Sequence, residues 1–228
     1  WPPTCRQGRM HHDIALFPNQ AFYAGMLTEV PLPHQVAGLP ETADSDSGID
    51  RILRSHRMAF IAADAPEDSP SDKVNQIEAD MIAATVKRIH DMEGDNFRPA
   101  ETVGVIVPYR NQIAAIRSAL DGYGIPALRA ITIDTVERYQ GSQRRYIIYG
   151  FTVSKYYQLK FLSDNVFMDS DGSVVDRKLN VAMTRAKEHL LIFGNPRLLV
   201  RNHTFSRLID FAKEHGCYFE DRKLFLQC

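Results

Sequence analysis

No run of about 18 apolar residues occurs in the sequence, so no segment has the length and hydropathy to cross a bilayer as a helix. Cysteine is scarce: Cys5, Cys217 and Cys228 contain no CxxC pair and leave an odd thiol in any pairing scheme. That argues against a secreted disulfide scaffold and a Cys-rich zinc module, and fits a reducing intracellular compartment, taken here as cytoplasmic. Proline and glycine, 12 and 13 of 228 residues, are too few for a collagen-like or low-complexity chain. An initiating Met and a basic-plus-apolar leader are both missing before Trp1-Pro2-Pro3, which leads to the expectation of one domain, residues 1–228, cut from a longer chain.

What is present is globular composition, 44% hydrophobic and 24% charged, sufficient for one full-sized α/β core. The net charge of −1 hides an asymmetry: residues 1–100 carry 9 Lys/Arg against 15 Asp/Glu, and residues 101–228 carry 18 against 13. A basic second half suits an anionic partner, though such an excess also occurs on solvated surfaces.

Short apolar runs at Met58–Asp64, Val103–Tyr109, Ala130–Asp134, Tyr146–Val153 and His189–Gly194 read as strands covered on both faces. Between them lie helical stripes: Ile77 to Ile89, with Asn75 and Glu78 as N-cap and capping-box partner; Ile113, Ile116 and Leu120; Leu179, Ala182, Met183 and Ala186; and Phe205 to Ala212. The alternation predicts a three-layer α/β/α sandwich on a mainly parallel sheet. Residues 28–56, with three prolines and an acidic run, read as a mobile insertion, and Asp169–Ser173 as an Asp-Gly turn rather than a calcium loop.

Four segments carry polar side chains at places suited to chemistry. Gln7 and Arg9 precede an apolar helical run ending at Pro18; Val107-Pro-Tyr-Arg-Asn-Gln112 closes a strand; Asp134-Thr-Val-Glu-Arg-Tyr-Gln-Gly141 leads from another into a turn; and Leu179-Asn-Val-Ala-Met-Thr-Arg-Ala-Lys187 is a short helix. In this order they resemble the second RecA-like motor domain of superfamily-one helicases, in the branch of the nonsense-mediated-decay helicase. The first is similar to that family's Gln-Tyr-Arg-Met segment, the second to its Pro-Tyr element, and the third and fourth to motifs V and VI.

The resemblance implies an ATP-dependent nucleic-acid helicase or translocase in which ATP and Mg²⁺ are held mainly by a first RecA-like domain of the same parent chain. This chain would supply the second face as a monomeric piece. Arg185 would be the arginine finger and Arg9 a second phosphate contact; Gln7, Gln140, Gly141 and Gln143 would line the nucleotide cleft. Thr135, the backbone near Val136, Tyr109 and Arg110 would meet single-stranded DNA or RNA. Gly8 stands where the family has an adenine-stacking Tyr, Gln143 where it has Glu, Arg145 where Asp is common and Lys178 where Arg is common. A Gly-x-x-x-x-Gly-Lys-Ser/Thr loop and an acidic magnesium motif are missing, so the chain alone is expected to be without ATPase activity. A non-hydrolysing binding module and a motor serving a fused nuclease stay open as alternatives.

Other readings compete locally. Thr135 has the chemistry to cap its own turn. His11, His12 and Asp13 have no evident third ligand and read as helix N-terminal polarity rather than a metal site. Tyr156-Tyr157 with Lys155 and Lys160 has the composition of a stacking surface, but reads first as an ordinary amphipathic loop.

Overall fold

The computed structural model describes residues 5–39, 48–64, 71–139, 142–163, 166–168, 174–220 and Phe225. Its centre is a six-stranded sheet of β3 (Met58–Ala62), β4 (Val103–Ile106), β5 (Thr132–Asp134), β6 (Arg144–Gly150), β9 (Ala186–Gly194) and β10 (Tyr218–Phe219), in the order β10-β3-β9-β6-β4-β5. Every pair is parallel. Two small ribbons stand apart from it: β1 (Cys5–Gln7) beside β2 (Leu27–Glu29), and the antiparallel pair β7 (Val166–Met168) and β8 (Val174–Asp176). The expected three-layer sandwich on a parallel sheet is the fold the chain adopts.

The central strands are apolar on both faces because helices cover both. On one face Phe60, Ile147, Tyr149, Leu190 and Ile192 pack with α1 (His12–Phe22), α6 (Gln158–Ser163), α7 (Arg177–Met183) and α9 (His203–Glu214). On the other, Ile61, Val103, Val105, Ile148 and Leu191 pack with α2 (Gly48–Ser55), α3 (Gln76–Glu93), α4 (Arg110–Asp121) and the short α5 (Pro126–Arg129).

Several local expectations change. Helix α1 does not stop at Pro18 but runs on to Phe22. The hydrogen bond that proline removes is outweighed by burial of Phe17, whose ring meets Phe22 and Phe211 edge to face. Ala186 begins β9 rather than ending the helix, because the chain turns at Thr184-Arg185 with Arg185 N–H on the Ala182 carbonyl. The stretch 28–56 is not uniformly peripheral: α2 buries Ile49, Ile52 and Leu53 in the core, while residues 40–47 lie outside the described residues. Asp169–Ser173 also lies outside them.

Asn75 caps α3 as expected, accepting from Glu78 N–H at 3.1 Å, but Glu78 does not return the bond. Its fully buried carboxyl accepts from Thr152 N–H at 3.0 Å and Thr152 Oγ1 at 2.9 Å, and burial pushes it up to about 8. Thr152, at φ 51°, is thereby held in the left-handed region a branched residue avoids. Gly150 makes the room, since a Cβ there would stand 2.6 Å from Glu78 Oε1.

β5 and β6 lie on either side of β4, and among the described residues no helix stands between them in sequence. Tyr139 lies on β4 so closely that a Cβ on Gly104 would be 1.7 Å from its hydroxyl. Residues 135–139 leave the carboxyl edge of the sheet, and residues 142–143 enter β6 at its amino edge.

Candidate functional site

The amino edge gathers residues far apart in sequence. Gln7 folds back over the turn that follows it: Oε1 accepts from Arg9 N–H at 3.0 Å and Met10 N–H at 2.8 Å, and Nε2 donates to the Met10 carbonyl at 3.1 Å. Buried Gln35 braces the same turn from outside through the Gln7 and Met10 carbonyls, and His34 contacts the Arg9 carbonyl at 2.9 Å. His11 N–H on the Lys187 carbonyl, at 2.8 Å, docks the turn against the start of β9. Gln7 is thus the turn's internal scaffold, and what the turn presents is Arg9.

Arg9 Nε donates to Gln143 Oε1 at 3.2 Å and Nη1 to the Thr184 carbonyl at 3.0 Å; among the described residues Nη2 has no partner. Gln7, Arg9, Tyr23, Gln143 and Thr184 line a cleft of about 500 Å³ together with Arg6, Gly8, Met10 and Leu27. Gly8 borders it closely enough to Leu32 that a Cβ would meet Leu32 Cδ1 at 3.3 Å. A tyrosine at that position would require Leu32 to shift.

Arg185 stands beside this cleft rather than lining it. Half-buried in the turn between α7 and β9, it has a buried Nε with no hydrogen-bond partner among the described residues. Burial, and then the charge of Arg9, lower its pKa. Neither guanidinium is paired with a carboxylate among the described residues. A buried N–H left unpaired normally costs stability, and two adjacent cations repel, so the arrangement favours an incoming group with several negative oxygens. Asn180 is held here too, donating to Tyr23 Oη at 3.1 Å while its own Oδ1 is buried without a partner among the described residues.

The structure therefore brings Gln7, Arg9, Gln143 and Arg185 together, joined by Thr184, Tyr23, Asn180, His34 and Gln35, which sequence reasoning missed as site residues. Asn180 and Thr184 lie within the segment similar to motif VI. Gln140 and Gly141 lie outside the described residues. Arg145 takes no part in the cleft: it bridges Glu93 at 2.6 Å and Glu188 at 3.0 Å.

Tyr109, Arg110, Thr135 and Val136 occupy the opposite, carboxyl edge, past the ends of β4 and β5. Tyr109 precedes α4 and stacks on Phe161 with centroids 5.5 Å apart, and Arg110 is exposed. The Val136 side chain is buried in the core, which leaves its backbone as the only group able to meet a ligand. Thr135 Oγ1 donates to Glu137, whose carboxylate also lies 3.4 Å from Lys178 Nζ. Partial burial works against that carboxylate, yet these contacts and its own backbone N–H hold its pKa below the usual range. The Thr135 hydroxyl thus serves the Glu137 side chain and not a backbone group of its turn, and it keeps lone pairs for other donors.

His11 Nδ1 accepts from Asp13 N–H at 3.2 Å, capping α1, and His12 pairs with Glu29 at 2.8 Å. Among the described residues no group of three His, Cys, Asp or Glu is placed to hold a metal, and no helix is long and apolar enough to cross a membrane.

The family described as AAA domain matches residues 5–197. The DNA-binding protein SMUBP-2 of Mesocricetus auratus is 28% identical over 214 residues, covering 92% of this chain and 20% of that protein. The regulator of nonsense transcripts 1 homolog of Neurospora crassa is 28% identical over 229 residues, with 94% and 18% covered. The ATP-dependent helicase NAM7 of Saccharomyces cerevisiae is 28% identical over 229 residues, with 94% and 21% covered. The chain spans about a fifth of the length of these curated relatives. It belongs to the AAA domain family, within the superfamily-one helicase branch that contains the nonsense-transcript regulators.

Proposed function

We propose that the chain is the second motor domain of an ATP-dependent nucleic-acid helicase or translocase, excised from a longer protein whose first motor domain holds ATP and Mg²⁺. Bound there, the nucleotide supplies a γ-phosphoryl group on which negative charge spreads as water attacks. The task of this chain is to meet that charge. Arg185 acts as the finger: a planar guanidinium pairs two oxygens at once, which the point charge of lysine does not. Arg9, held on two sides by Gln143 and Thr184, offers its remaining Nη2 as a second phosphate contact. Gln7 fixes the turn that aims Arg9, and Gln143 fixes the Arg9 side chain, so the donors need little reorganisation on binding. Gln140 and Gly141, outside the described residues, are assigned to nucleotide contact by the motif resemblance alone. Thr135, the Val136 backbone, Tyr109 and Arg110 bind single-stranded DNA or RNA, largely through phosphates as hydroxyls and amides do.

The observation that carries this reading is the unpartnered, buried Nε of Arg185 beside an Arg9 that no carboxylate neutralises among the described residues. The test is ATP turnover by the full-length parent, with and without single-stranded DNA or RNA. Strand-stimulated hydrolysis should fall by about 10³–10⁵ in Arg185→Ala, with strand binding retained. The 228-residue chain alone should show no turnover. A parent inactive under every condition, or an Arg185→Ala parent that keeps its rate, would refute the shared-site mechanism.

A further inference from the structure

The turn after β6 and helix α6 form a rigid shelf at the carboxyl edge. Leu159 and Leu162 root it in the core. Gln158, buried, accepts from Ser154 N–H at 2.8 Å and Lys155 N–H at 2.7 Å, and donates to the Thr152 carbonyl at 3.2 Å and to Tyr109 Oη at 3.4 Å. The outward side carries three aromatic rings: Tyr156 is 58% exposed, Tyr157 60% and Phe161 47%.

These rings are held in place rather than loose. Arg201 lies 5.3 Å from the Tyr156 centroid, and the Tyr157 hydroxyl donates to Asp72. Phe161 sits between the Tyr109 ring and Lys178 Nζ, the latter 4.2 Å from its centroid. Through Tyr109 on one side and the Lys178–Glu137 pair on the other, Phe161 joins the two segments assigned above to strand binding. No ring or cation covers Tyr157 among the described residues. Lys155, Lys160 and Arg201 border the shelf with positive charge, while Glu137 is paired with Lys178 and Asp72 accepts from Tyr157.

We propose that Tyr156 and Tyr157, buttressed by a Phe161 whose two faces are already taken by Tyr109 and Lys178, form a base-stacking platform that continues the Tyr109–Thr135 surface and takes successive bases of single-stranded nucleic acid. This deepens the motor-domain reading and rests on it. The charge complements phosphates, and rings already immobilised lose little entropy when bases stack on them. Because π-faces accept any base, the platform grips without reading sequence. The amphipathic loop expected from the sequence is thus half right: its apolar side is core, and its outer side is a basic-rimmed aromatic surface.

The test measures binding of labelled thymidine and uridine single strands, and of abasic strands of equal length and charge, by the full chain. Replacing Tyr156 and Tyr157 together by Ala should weaken binding of base-bearing strands by about 5- to 150-fold and leave the abasic strands unchanged. Tyr157→Trp keeps the platform and adds an indole whose only companion is Trp1; base-bearing strands should quench it and abasic strands should not. Equal losses on abasic strands, or an unquenched indole with binding intact, would overturn the platform while leaving the motor reading in place. Wild-type chain that binds no strand at all would overturn both, and the relative response to thymidine and uridine strands identifies the polymer preferred.

Discussion

Glu78→Gln is the sharpest test of the buried polar network beneath the carboxyl edge. In the folded chain the Glu78 carboxyl titrates near 8 because burial penalises its charge more than the bonds from Thr152 and Gln112 favour it; its ordinary value is 4.5. The native state therefore prefers the proton. The resulting stabilisation is complete below the unfolded value, about pH 4.5, and is lost as pH rises through the folded value near 8. A displacement of that size corresponds to at most about 5 kcal/mol, of which about 3 kcal/mol is gone by pH 7. Gln has nearly the shape of protonated Glu and does not ionise, so its cost or benefit is independent of pH. Urea unfolding of both proteins from about pH 5 to about pH 9 isolates the effect. His11, His56 and His189, whose pKa values burial lowers, destabilise in the opposite direction as pH falls, but they are common to both proteins and cancel in the difference. The variant should gain several kcal/mol on the wild type towards high pH. Parallel stability curves would refute the claim that Glu78 is buried and preferentially protonated.

Three further perturbations address other parts of the fold. Gly104→Ala should destabilise by about 3 kcal/mol or more, since the new methyl overlaps Tyr139; thermal unfolding of Gly104→Ala/Tyr139→Ala should recover part of the loss, and simple additivity would show that Tyr139 does not pack there. Tyr139→Phe removes a buried hydroxyl without a partner among the described residues, so chemical denaturation should show it neutral or up to about 1 kcal/mol stabilising. Asn202→Ala removes the cap of α9, whose Oδ1 accepts from Thr204 and Phe205 N–H at 3.0 and 3.2 Å, and should cost about 1 kcal/mol in the same assay.

The alternation of apolar runs and helical stripes determined the layer architecture, because continuous apolar strands are compatible only with a sheet covered on both faces. The cap at Asn75 was equally legible, since capping is a contact between near neighbours. Residue types around Arg9, Arg185 and Thr135 marked out the candidate site. Only the tertiary structure decided how these meet. Arg9 reaches the Thr184 carbonyl across a separation of 175 residues, and this depends on strand order and on the docking of His11 to Lys187, which no local pattern encodes. The same holds for Glu78: three residues after an N-cap it has the signature of a capping box, yet Gly150 and Thr152 create a pocket beside it that captures the carboxylate. Composition concealed the buried helix α2, and Pro18 suggested too early an end for α1, for the same reason. Local sequence sets which conformations are inexpensive, and long-range burial chooses among them.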